Sequence, residues 1–239
     1  MPMELPQSPP STLEVLREHS PLLEQIREGR DLRSAILRSL ATALLGSAFF
    51  GLALGSYAQS LPQLMASMLK VPLLLVGTAV LCFPTFHIFQ TWRAPRPLAW
   101  QEALALQSTV LATVALIWAS LAPPIIFLIA STHHYKLAQT LTLLAGATGG
   151  FVGLGRLRSG YHALCRQHED SAVDDSGNAP NSRAFLLTYF VVFGAVGGQL
   201  AWMLRPFLGS PTLPFQIFRP IDPADGNLFL LILDLLGMR

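Results

Sequence analysis

The 239-residue chain is 51% hydrophobic but only 13% charged, with a net charge of +2. A soluble domain carries about 25% charged residues, so the composition argues against one, and so small a net charge without a long basic run argues against a nucleic-acid partner. Cys82 lies in an apolar run and Cys165 in polar sequence, and two such cysteines make neither a disulfide nor a metal framework.

Residues 1–36 read as a polar, cytoplasmic N-terminal region. The first ten are proline-rich, and the chain opens without the basic stretch and apolar core of a cleaved signal peptide. Ser11 and Glu14 fit a capping box. Ser20 then serves as an N-cap for a second helix with Pro21 at its first position. Leu22, Leu23 and Ile26 share one face of that helix, opposite Glu24, Arg27 and Glu28. Such a helix lies on the inner membrane surface or under a bundle, or it docks a cytoplasmic partner.

Five apolar spans follow over residues 37–205, at about 40–57, 71–92, 103–130, 137–155 and 184–204. Each approaches the roughly 20 residues that a membrane helix needs, and none contains Asp, Glu, Lys or Arg. Lys70 is the only charge between Arg38 and Arg93, and Lys136 the only one between Glu102 and Arg156. In the third span the Pro123-Pro124 pair is expected to break or kink the helix, because proline removes a backbone donor and crowds the preceding turn. Residues 168–182, rich in Asp, Ser, Asn and Gly, read as an exposed loop. The fold class predicted is therefore all-α: an integral membrane bundle of about five transmembrane helices.

Basic residues orient the bundle. With the N-terminus inside, eleven of the sixteen Lys and Arg fall on cytoplasmic segments, and Lys70, Lys136, Arg205, Arg219 and Arg239 fall outside. Tyr57, Trp92, Trp100, Tyr135, Tyr161 and Trp202 mark span ends, where amphipathic rings prefer to sit, while Trp118 and Tyr189 fall inside spans as packing residues. Arginine outnumbers lysine heavily, and Ala and Leu abound, as in a GC-rich bacterial genome. The expected location is the bacterial cytoplasmic (inner) membrane.

Lipid is as apolar as leucine, so membrane helices associate where small residues let backbones approach. Three stripes at a spacing of four fit that role: Ser47, Gly51 and Gly55; Ala145, Gly149 and Gly153; Gly194 and Gly198. They form helix contacts, or else line a pore or a self-association face. The glycine-rich run 146–155 lies within a span and lacks the Lys-Ser/Thr of a phosphate loop, so packing explains it better than nucleotide binding.

No sequence signature of catalysis is present, and neither a cofactor nor a metal site is predicted. His133 and His134 are adjacent, but adjacent side chains rarely share one ion, and no carboxylate or cysteine is near in sequence. Charge-free spans also argue against ion-coupled transport. His87, Gln90, Gln107, Thr109, Thr113, Thr140, Thr142 and Gln199 are milder polar groups that can satisfy themselves within the bundle.

Residues 206–239 form an outer segment. Pro206, Pro211, Pro214 and Pro220 forbid a regular helix over 205–220, yet Phe207, Leu213, Phe215, Ile217 and Phe218 are too apolar for a free tail. An ordered non-helical cap is predicted. Trp202, Arg205, Phe207, Phe215, Phe218 and Arg219 would supply its surface, either structural or facing a partner. The apolar stretch 228–236 is too short to span.

The plan over about residues 35–205 resembles the Yip-type family of five-helix membrane proteins, with a polar cytoplasmic N-terminal region, closely spaced spans and an outer C-terminus. The Trp202-Met-Leu-Arg-Pro-Phe segment, continued by Pro-Phe-Gln-Ile-Phe-Arg, resembles the tail of an uncharacterised family of bacterial polytopic membrane proteins. Neither resemblance supplies catalytic residues. The eukaryotic family implies a non-enzymatic adaptor in trafficking, a role that does not carry over literally to a bacterial chain. The function expected is a non-enzymatic membrane subunit or scaffold. Its partners would be the lipid bilayer and other membrane proteins or further copies of itself. The alternatives are a channel or passive transport component, and a membrane-embedded lipid-modifying enzyme.

Overall fold

The structure, a computed structural model, describes residues 32–93, 98–132, 134–169, 182–209 and 217. The expected N-terminal amphipathic helix, His133, most of the polar loop, Phe215, Phe218, Arg219 and the stretch 228–236 lie outside the described residues. Five long helices make up the regular structure: α1 (Leu32–Gly55), α2 (Leu61–Arg93), α3 (Trp100–Thr132), α4 (Tyr135–Glu169) and α5 (Ser182–Leu204). All five are long and apolar enough to cross a membrane. Among the described residues there is no strand.

The helices outrun the apolar runs that announced them. Residues 58–69, expected as a loop, are mostly helix: a 3-10 turn at Ser56–Ala58 and left-handed Gln59 (φ 50°) bring the chain round into α2 at Leu61. Lys70 therefore sits inside α2, not beside it. Similarly, α4 continues past the expected end at 155 to Glu169 and carries Arg156 and Arg158. Hydropathy falls at the first charge, whereas backbone hydrogen bonding continues while residues suit the helix. A 33-residue helix is about 50 Å long, well beyond the roughly 30 Å hydrocarbon core. Pro123 and Pro124 do not break α3, which runs unbroken through both, as α2 does through Pro72 and Pro84. Proline costs a donor, but its φ of about −65° is helical. At the start of α3 the Glu102 carboxylate accepts from the Ala99 backbone N–H at 3.0 Å, satisfying a donor that the helix leaves over.

Helix α1 is central and packs on both α2 and α3; α4 lies along α3, and α5 lies along α2. Contact between α4 and α5 is sparse. The crossing of α1 and α2 is the closest. A Cβ on Gly51 would run into the Ser67 carbonyl oxygen and come 2.9 Å from the Met68 Cα, and one on Gly55 would lie 2.7 Å from the Leu64 Cα. Only glycine fits two backbones so close. Ser47 is fully buried on the same face and turns its hydroxyl back to the Ala43 carbonyl at 2.5 Å. Gly46 makes the matching approach to α3, where a Cβ would lie 2.8 Å from the Ala115 carbonyl oxygen.

Trp118 of α3 joins the layers. Its ring stacks on Phe50 at 5.4 Å, and its indole N–H donates to the Ala145 carbonyl of α4 at 2.9 Å. Gly149 gives the indole room, since a Cβ there would sit 2.5 Å from Nε1, and Gly153 does the same for Val114 at 2.9 Å. A second aromatic cluster joins Phe86, Tyr161 and Tyr189, with Phe86 centred 5.1 Å from Tyr189 and 6.4 Å from Tyr161. Tyr161, expected at a span end, is thus a buried packing residue, because α4 continues past it. Large apolar side chains face outward along the bundle: Leu45, Leu61, Leu69 and Phe127 are each at least 70% exposed.

Candidate functional site

Because α4 rests on α3 and α5 on α2, the space between α4 and α5 is left open. It forms a cleft of about 1060 Å³ running along the bundle, at the upper end of the roughly 300–1,000 Å³ of ordinary ligand pockets. Phe50, Leu75, Val114 and Trp118 make its floor; Leu143 and Phe190 belong to its two walls. A Cβ on Gly146 or on Gly194 would meet no atom within 4 Å.

The third small-residue stripe therefore needs correcting. Gly194 and Gly198 border the cleft, and Gly194 makes no helix contact. The close approach of α5 to α2 is made by the neighbouring Gly197, whose Cβ would lie 3.2 Å from the Thr78 methyl. One residue turns a helical wheel by about 100°, so Gly194 faces the cleft while Gly197 faces α2.

Deep in the cleft, Tyr189 and Gln107 satisfy one another: the Gln107 amide donates to the Tyr189 hydroxyl at 2.9 Å, and that hydroxyl is 3.2 Å from Gln107 Oε1. Both are buried. Other polar groups within the helices are satisfied locally, Thr109, Thr113, Thr140 and Thr142 each donating to the carbonyl four residues earlier. Gln90 donates to the Leu98 carbonyl and lies 2.9 Å from His87 Nδ1.

The opposite end of the cleft, the tail end, is where the turn at 56–60, the start of α4 and residues 205–209 come together. After α5 the chain loses helical form at Arg205 and turns back onto α2. Leu208 is buried there, and Phe207 packs against the core. Three α2 side chains one turn apart hold this segment by its carbonyls. Gln63 donates to the carbonyls of Pro206 and Phe207 at 3.1 and 3.2 Å, Ser67 donates to that of Phe207, and Lys70 donates to those of Pro206, at 3.2 Å, and Ile217. Lys70 is only 4% exposed, so its charge is shielded by peptide dipoles and not by water. Gly209 closes the fold at φ +69°, where a Cβ would lie 2.8 Å from the Gln63 side chain. Trp202 and Arg205 stand at the rim, the guanidinium carbon 3.7 Å above the indole.

Gln63, Ser67 and Lys70 were not among the residues singled out from sequence. Their i, i+4, i+7 spacing was a signal, hidden because the span was taken to begin after Lys70. Among the described residues no three His, Cys, Asp or Glu side chains come together as a metal site would need. Compared with known protein families, with curated proteins and with solved structures, the chain matches none.

Proposed function

We propose that the chain is a multi-pass protein of the bacterial inner membrane, N-terminus in the cytoplasm, acting as a non-enzymatic membrane subunit that admits an apolar guest from the bilayer between α4 and α5. The observation that carries this reading is the cleft: about 1060 Å³, lined mainly by apolar side chains and left open where two helices touch only sparsely. In hydrocarbon such a space fills readily, because an empty one forfeits dispersion contacts on every wall. Five apolar helices and their outward leucines support the membrane setting. The eleven-to-five division of basic residues supports the orientation, and the lack of a catalytic sequence signature supports a non-enzymatic role. This reading is in keeping with the membrane-adaptor role that the Yip-type resemblance implies.

A photoreactive phenylalanine analogue tests the cleft. At Phe190, on the cleft wall, it should give a discrete adduct in native membranes that the paired fillers Gly146→Trp and Gly194→Trp suppress. At Val191, which is 61% exposed, it should give only diffuse products that the fillers leave alone. Equal products at both positions, unmoved by the fillers, would overturn the reading. Orientation is checked by single cysteines at Ser60 and Ser171 in a chain lacking Cys82 and Cys165. An impermeant thiol reagent outside the cell should label Ser60 and spare Ser171; the reverse pattern would invert the topology.

A further inference from the structure

The last described residue has a known place. Lys70 donates to the carbonyls of both Pro206 and Ile217, which holds Ile217 at the tail end of the cleft, where Pro206 is part of the lining. Residues 218–239 lie outside the described residues. Their sequence carries one strongly apolar stretch, Leu228 to Leu236, interrupted by Asp234 alone. Asn227 before it is a favoured N-cap and Gly237 after it a favoured helix stop, so the stretch reads as a short helix, about 14 Å long.

Such a helix cannot cross a bilayer by itself. Leu228 to Leu233 are apolar without interruption, which gives the helix no polar face to turn to headgroups and water; a helix apolar all round is a buried one. The apolar cleft is within its reach. Leu228 follows Ile217 by eleven residues, a tether of up to about 36 Å. The α5 wall from Trp202 at the tail end to Tyr189 is about 20 Å long, so the helix fits within it. Asp222 and Asp225 precede the stretch and would stand at the tail end, where Lys136 is exposed beside the cleft-lining Tyr135. Asp234 is the misfit, since a carboxyl among apolar walls is costly to bury; it leaves the segment docked but displaceable.

We propose, resting on the cleft reading above, that residues 228–236 of the same chain dock between α4 and α5 as the resident occupant of the cleft, in competition with a guest from the bilayer. Cysteines at Gly194, where a Cβ would meet no neighbour, and at Leu235 test the docking in a full chain lacking Cys82 and Cys165. Copper-phenanthroline oxidation in native membranes should join them within one chain, read as a linked peptide pair by mass spectrometry. Ala195, turned about 100° from Gly194, is exposed and does not line the cleft; a cysteine there should join Leu235→Cys far more slowly. Asp234→Leu should speed the Gly194 link. Paired Leu231→Asp and Ile232→Asp should prevent it and raise the guest adduct of the Phe190 photoprobe severalfold, because a tethered occupant competes at millimolar effective concentration. No link at Gly194, equal linking at Ala195, a link found only between two chains as a covalent dimer, or a guest adduct that the two aspartates leave unchanged overturns the proposal while the cleft stands. A Gly194 link with no guest adduct in any variant supports the docked segment and overturns the guest reading instead.

Discussion

The α1–α2–α3 side and the α4–α5 side of this bundle share a composition but not a packing. In α3, 44% of the apolar window is buried, against 22% in α4 and 11% in α5. Both sides carry small-residue stripes. On the first side, glycines sit where a partner backbone passes, so the missing Cβ is the contact itself. On the second, Gly149 and Gly153 meet side chains of α3 and not its backbone, while Gly146 and Gly194 face open space. A glycine stripe therefore permits close approach without causing it: what matters is whether a partner helix arrives at that face. The open side is also where Arg205 lies over Trp202.

The largest effect that can break this comparison is expected at the α1–α2 crossing. Gly51→Leu drives a side chain into the Ser67 and Met68 backbone and should cost about 3 kcal/mol, seen as a fall in thermal melting in detergent. Gly194→Leu, the same change on the open side, should leave melting nearly unmoved. Equal falls would mean that the cleft is closed in the folded protein.

Next is the tail clamp. Lys70→Met removes the donor that the carbonyls of Pro206 and Ile217 share and should cost about 2 kcal/mol, as for a lost hydrogen bond to a charged group. Chymotrypsin should then cut after Phe207, in the Phe207-Leu208 bond of the clamped segment, faster than in the wild type. Unchanged cutting would show that the segment is held without the lysine.

A smaller effect is expected deep in the cleft. Tyr189→Phe leaves Gln107 without its partner and should cost about 1 kcal/mol. The double change with Gln107→Leu should recover most of it, since two matched apolar groups leave nothing unsatisfied; additive losses would argue that the two side chains act independently. The smallest effect sharpens the comparison: Gly146→Ala meets no neighbour and should raise stability by about 0.5 kcal/mol through the unfolded chain alone.

The sequence by itself determined that the described regular structure is helical, with five segments apolar enough to span a membrane, because one-dimensional hydropathy is set by composition and needs no partner. It also held the Gly51 and Gly149 positions, since a helical period of four puts small residues on one face. Only the tertiary structure decided which faces meet. Gly197 touches α2 while Gly194 does not, and a rotation of about 100° between adjacent residues separates them. Lys70 had the look of a loop charge; what makes it tolerable inside a helix is a set of carbonyls more than a hundred residues away in the chain. The cleft was not legible at all, because it is made by two helices that meet only sparsely, and no single residue encodes how far two helices stand apart. The electrostatic and packing terms that fix these three features act between distant segments, and they exist only once the chain has brought those segments together.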